Sequence, residues 1–423
     1  MNAGRNEATA VARLEAAQTA LTALLDLARN AQHHYRPAIE APQFRTLLAA
    51  AAIECALAEQ MAGDTADALA APVLALGLDD LGADLARARL ALLRSAGRAA
   101  AAGRDYLAAF EGTTPRAVRH GAIVAALDPA SLQAPAAPAL SASAAVAAIL
   151  LGHGGNAALA ATYADTIAAG SCRAGIAALE HDAGYDFDNL RTRLQRSAGA
   201  SAITGAKPLV EEGAAANVVF VSVRVMETAA GDGPDDDGRS LYCIETDRPG
   251  VKRQARAGID GPGYADFVFE RVEVREVDRV GPRGDATPLL VHGIDAGCVA
   301  LCAEATGLMA GMVGRIARVT DAGDGKARAR LARMLVHLTR ARAALRIAEG
   351  GLAAHDAEAP AARMRAVSLA KHVIGEAGRF IGEHGVREGD AELRAAFARL
   401  TAIDLTWGDA AHHFERYAGL LGR

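Results

Sequence analysis

The chain has 423 residues, of which 51% are hydrophobic and 22% charged, a make-up that fits two or three globular cores and excludes a disordered chain. Its net charge of −5 sets up no global field for nucleic acid. The five cysteines form no CxxC pair and are odd in number, which argues against a disulfide framework and leads us to expect a reducing, cytoplasmic setting.

The first residues, MNAGRNEATAVARLEAAQTA, include acidic side chains and no apolar stretch, so they do not read as a signal peptide. From Glu7 to about Gly170 the text is rich in Ala, Leu, Arg and Glu, the strong helix formers, and predicts a helical domain over 1–170. Breaks are expected where Gly and Pro gather: Pro37 to Pro42, Gly77 to Gly82, Gly112 to Pro115 and Pro129 to Pro138. The apolar window at 141 to 152 is shorter than the ~20 residues of a membrane span, so it reads as a buried helix and no membrane contact is expected.

Between 171 and 283 the texture changes to strands. Asn217 to Val225, Leu241 to Glu245 and Phe267 to Val277 are β-branched or alternating runs, and they predict a compact antiparallel β domain. The Gly/Asp run at 231 to 238 reads as a polar hairpin loop without the ligand spacing of a calcium loop. Cys298 and Cys302 stand about one turn apart with no further ligand types beside them, so they read as buried small side chains and no metal site is expected.

Helices resume over 284–423. Lys326 to Arg346 is basic, with Met334, Leu338, Ala341 and Leu345 as its buried face and Arg328, Arg330, Arg333, Arg340 and Arg342 outside it. Farther on, Val367, Ala370, Ile374, Ala377 and Ile381 recur at helical spacing, as do Leu400, Ile403, Trp407, Ala410, Phe414, Tyr417 and Leu421. Each series predicts one apolar helix face to be buried inside the chain or against a partner.

Several of these stretches together resemble the acyl-CoA dehydrogenases, most closely the small subunits of two-subunit members. The C-terminal runs are Ala370-Lys371, Gly378-Arg379-Phe380-Ile381-Gly382, Phe397 to Thr401 and Trp407-Gly408-Asp409 through Phe414. Upstream, Ala177 to Asp186 resembles the "Ala-x-Thr-Glu-Pro-x-x-Gly-Ser-Asp" segment, Thr204 to Lys207 the "Asn-Gly-x-Lys" turn, and Phe269 to Val274 with Val280-Gly281 the exit from the β domain. Leu301 to Gly307 resembles the start of the C-terminal bundle. The resemblance implies an α+β fold: an N-terminal helical domain, a central antiparallel β domain and a C-terminal helical bundle.

It also implies a chemistry, the α,β-desaturation of an acyl-CoA thioester, in which a carboxylate takes the α-proton and FAD takes the β-hydride. The carboxylate belongs just before a Gly at the start of the last helix, and here Trp407 precedes Gly408. Asp409, Glu304 and Glu349 are the substitutes in reach of the sequence, with Asp409 better read as a helix cap. His412 and His413 read as a partly exposed pair rather than ligands. The flavin-facing positions correspond to Leu179 and Glu180 and to Leu209, Val210 and Glu211, without the expected hydroxyls.

Two crossing elements that serve a partner's FAD are reduced, at Asp321 to Gly325 and at His384 to Asp390. Arg328, Arg330 and Arg333 are candidates for a CoA phosphate. The expectation is a degenerate subunit, with FAD weak or absent, that pairs with a homologous acyl-CoA dehydrogenase subunit or with itself. An active enzyme with a displaced base and a non-redox acyl-CoA-binding protein stand as alternatives.

Overall fold

The computed structural model describes residues 2–33, 36–64, 67–95, 122–127, 132, 141–197, 200–226, 238–321, 323–353, 360–386 and 390–421. The Gly/Asp run at 231 to 238 lies outside these apart from Gly238, as do Gly112 to Pro115, most of Pro129 to Pro138, and Arg387 to Gly389.

The N-terminal part holds α1 (Asn2–Asn30), a two-stranded hairpin of β1 (Gln32–His33) and β2 (Arg36–Pro37), α2 (Pro42–Ala62) and α3 (Ala70–Ser95). Proline stands at the first position of α2, where its missing N–H costs no helical hydrogen bond. The break expected at Gly77 to Gly82 does not occur. Helix α3 runs straight through it because Leu76, Leu78, Leu81 and Leu85 are all buried, and packing of one apolar stripe outweighs the low propensity of glycine.

After α4 (Ala142–His153) and α5 (Ala157–Ala168) come the strands β3 (Ala174–Ala177), β4 (Arg193–Ser197), β5 (Ala200–Val210), β6 (Val218–Met226), β7 (Arg239–Glu245), β8 (Val251–Gly258), β9 (Gly261–Val274) and β10 (Arg279–Val280). They form one sheet in the order β10-β7-β6-β4-β5-β9-β8, with β3 also on β6. Antiparallel pairing dominates, but β3 and β4 both lie parallel to β6, one after the other along it. The sheet is therefore mixed rather than wholly antiparallel. Its core is built on Phe267 and Phe269 with Val219, Val221, Val223 and Val225 of β6; Phe220 is buried too. The sequence pattern hides β8, whose residues are nearly all exposed, as suits an edge strand defended by charge.

The C-terminal part holds α6 (Thr287–Val319), α7 (Gly325–Ala353), α8 (Pro360–Gly385), α9 (Ala391–Leu405) and α10 (Ala410–Leu420). Among the described residues α6 is the one helix long and apolar enough to cross a membrane; most of its apolar window is buried inside the chain, as in a core helix. The chain divides into two compact units, one of Met1–Ala136, Ala305–Leu400 and Asp409–Arg423, the other of Ala137–Glu304 and Thr401–Gly408.

In the first unit, α7 is joined by ion pairs to α2 and to the segment that follows it. Arg340 meets Glu54, Arg346 meets Asp64, and Arg342 lies 3.5 Å from Asp67. This corrects the reading of Arg340 and Arg342 as outward-facing, since both side chains are about four-fifths buried. Their stems cover apolar surface while their guanidinium groups find carboxylates. The apolar series Val367 to Ile381 is buried on α8 as expected.

The second series is not one helix. It breaks at Trp407 (φ 56°) and Gly408 (φ 123°), and Asp409 then caps α10 by accepting the N–H of His412 at 2.7 Å. Leu400, Ile403, Trp407, Ala410 and Tyr417 are already buried in the single chain, so most of this face is not left for a partner.

Candidate functional site

The second unit contains a cavity of about 460 Å³, and its walls begin with a buried ion pair. Lys207 is fully buried and donates to the Glu180 carboxylate at 2.9 Å and to Ser222 Oγ at 3.1 Å. The same carboxylate accepts the N–H groups of Arg191 at 2.7 Å and Thr192 at 2.9 Å. Residues 178 to 192, the loop between β3 and β4, are thereby closed on themselves and stapled to the sheet. Burial alone would raise the Glu180 pKa, but the ammonium of Lys207 and the two backbone N–H groups hold it below its ordinary value.

Gly205 makes the staple possible. A Cβ there would lie 2.5 Å from the Thr192 hydroxyl, and its φ of 156° coincides with a register shift in β5 that turns Lys207 into the core. A second shift between Lys207 and Val210 puts Leu209 at φ 45°, where its N–H donates to Asp266 at 2.9 Å. The Leu209 side chain is turned outward over the cavity, 59% exposed. Ile259, in the β8–β9 turn, and Leu405, at the end of α9, complete a largely apolar rim.

Trp407 forms another wall. The backbone between α9 and α10 has positive φ at Trp407 and Gly408, and the indole packs on Gly297 of α6 and is 6% exposed. The Thr406 hydroxyl, also on the lining, is turned back onto the Ala402 carbonyl at 2.8 Å.

No family model matches the chain. The acyl-CoA dehydrogenase of Bacillus subtilis (strain 168) is 26% identical over 151 residues, which cover 34% of this chain and 38% of that protein; the chain spans less than half the length of the curated relatives it matches. The butyryl-CoA dehydrogenase of Megasphaera elsdenii superposes with a TM-score of 0.56 at 15% identity, over 96% of this chain and 98% of that one. The fold is that of the acyl-CoA dehydrogenases. The glutaryl-CoA dehydrogenase of Mycobacterium smegmatis in complex with FADH2 agrees, with a TM-score of 0.55 at 16% identity over 72% of this chain and 79% of that one. The sequence relatives that the chain matches over about a third of its length are acyl-CoA dehydrogenases as well.

Of the positions that the acyl-CoA dehydrogenase resemblance singles out, Leu179, Glu180, Leu209, Glu211 and Trp407 are all brought together on this one cavity. The substitutes for a base are not: Asp409 is the cap of α10, Glu304 sits half-buried on α6 and Glu349 is exposed on α7, and none lines the cavity. Arg328, Arg330 and Arg333 are exposed on α7, with Arg333 lying 5.6 Å over the Phe380 ring. His413 is buried at 1% exposure and meets His412 edge to face, which corrects the reading of a partly exposed pair. Among the described residues no cluster of His, Cys, Asp and Glu could hold a metal ion, and none of the five cysteines is in a disulfide.

An isoalloxazine ring needs donors and acceptors at its polar edge and a cation or N–H cradle for the attached diphosphate. The described lining lacks the cation that a diphosphate needs: no Lys or Arg lines the cavity, Leu179 and Leu209 present hydrocarbon, the Leu209 N–H donates to Asp266 and the Thr406 hydroxyl to Ala402, and His181, Tyr264 and the carboxylates are its polar side chains. The sequence reading missed Gly297, Ile259 and Leu405. The one signal available was glycine inside a long helix pattern, which marks close approach.

Proposed function

We propose that this chain is a catalytically degenerate acyl-CoA dehydrogenase-family subunit that supports a homologous catalytic subunit in a heteromeric FAD-dependent, acyl-CoA-desaturating complex. The observation that carries the reading is Trp407. The turn that would aim a carboxylate into the cavity is built, capped and buried, and it aims an indole. An indole N–H donates only and accepts no proton, so α-proton abstraction has no acceptor at that turn.

The carboxylates on the lining are placed for other work. Glu180 is held by Lys207 and two backbone N–H groups, and Asp182 lies 3.2 Å from Arg191 and is largely exposed. Glu211 follows β5 on the sheet side, away in sequence from the α9–α10 turn. Chemistry has gone while the packing that supports it remains, and that combination favours a structural role in an assembly.

The test is the visible absorption spectrum of the purified chain, alone and co-purified with a catalytic acyl-CoA dehydrogenase homologue. The expected result is no flavin in the lone chain and flavin in a stable co-complex. Stoichiometric flavin in the lone chain, with acyl-CoA-dependent reduction of an acceptor that Glu211→Gln abolishes, would overturn the reading.

A further inference from the structure

We propose that the cavity rimmed by Leu209, Ile259 and Leu405 is a binding site for a neutral, apolar small molecule, with the Trp407 indole as a wall. The inference rests on the reading above that the cavity does no redox chemistry.

Three observations carry it. The cavity, about 460 Å³, is of the size that holds a small organic ligand. Its rim concentrates exposed aliphatic side chains: Leu209 is 59%, Ile259 61% and Leu405 50% exposed. They come from three separate segments, the β5 bulge, the β8–β9 turn and the end of α9, so the patch is not one helix face left over. Apolar side chains gathered around a concavity mark a binding site rather than ordinary surface.

The third observation is charge. The lining holds Glu180, Asp182 and Glu211 and neither Lys nor Arg. Lys207 neutralises Glu180 and Arg191 faces Asp182. A pyrophosphate, a carboxylate or a CoA thioester would meet no Lys or Arg on this lining, and a neutral apolar molecule needs none. Tyr264 and His181 supply the few polar contacts that orient such a ligand.

Trp407 is the chain's only tryptophan, so its emission reports on this cavity alone. The full chain is titrated with the neutral apolar probe N-phenyl-1-naphthylamine and, separately, with FAD, and tryptophan emission is followed. The expected result is saturable quenching by the neutral probe, weakened about tenfold in Kd by Leu209→Asn and by Ile259→Asp. Asn tolerates the left-handed backbone at 209 and Asp suits the turn at 259, so both variants keep the fold. Unchanged thermal melts confirm it.

Probe binding that neither variant weakens overturns the proposal. So does the absence of probe binding, including the case where the two variants instead abolish association with a catalytic subunit. In those cases the supporting-subunit reading stands. Stoichiometric FAD binding that quenches Trp407 in the lone chain overturns both.

Discussion

The ring of Trp407 fills the notch left by the absent side chain of Gly297: a Cβ built on Gly297 would lie 2.4 Å from the indole and 2.6 Å from Val146. Gly297→Ala is therefore overpacked against a buried ring and is expected to cost about 1–3 kcal/mol of stability, measured by urea unfolding. Combining it with Trp407→Leu should recover part of the loss, because the two sites share one space and their effects will not add.

Lys207 and Glu180 make a second prediction. Lys207→Met leaves the Glu180 carboxylate buried without its cation, at an expected cost of about 3–5 kcal/mol. Glu180 has a folded pKa below 4.5, so between that folded value and 4.5 the unfolded chain binds more protons. The stabilisation is fully present above 4.5 and is lost as pH falls through the folded pKa. The double variant Glu180→Gln/Lys207→Met should flatten this part of the acid-unfolding curve.

A separate acid response comes from histidines in the first unit. Burial, with Arg340, His384 and Arg333 adding to it, pushes His337 down to about 4. Burial also lowers His372 and His412. Each binds fewer protons folded than unfolded between its folded pKa and the ordinary 6.5, so stability should fall as pH drops from 6.5. His337 stacks on Phe380 with centroids 4.2 Å apart; His337→Phe keeps a ring there and should shrink the drop in urea midpoint across this window.

The arginines of α7 should divide into two classes. Arg340→Ala deprives the mostly buried Glu54 of its partner and is expected to cost about 1–3 kcal/mol. Arg328→Ala, on the exposed side, should change thermal stability by no more than about 0.5 kcal/mol. Equal effects would refute the division.

The order of helices, sheet and helices was legible because each relies on a local period. The buried stripe Val367 to Ile381 and the runs of β6, β7 and β9 carry their period in consecutive residues. What local period could not show was β8, polar because it is an edge, the unbroken course of α3, and the pairing of Arg340 and Arg342 with carboxylates some 275 or more residues away in sequence. Each depends on what stands opposite, and the strand text of β3 and β4 gives no sign that both run parallel to β6.

For the site, the sequence by itself determined which chemical groups were present at each position: Trp407 before Gly408 where the resemblance implies a carboxylate, and Leu179 and Leu209 where it implies hydroxyls. Residue type decides whether a group accepts a proton, and no folding changes that. Only the tertiary structure decided that these residues share one cavity, that Glu180 is committed to Lys207, and that Gly297 leaves room for the indole. Those facts arise where a bulged strand, a left-handed turn and a helix glycine meet, and such meetings are set by long-range packing.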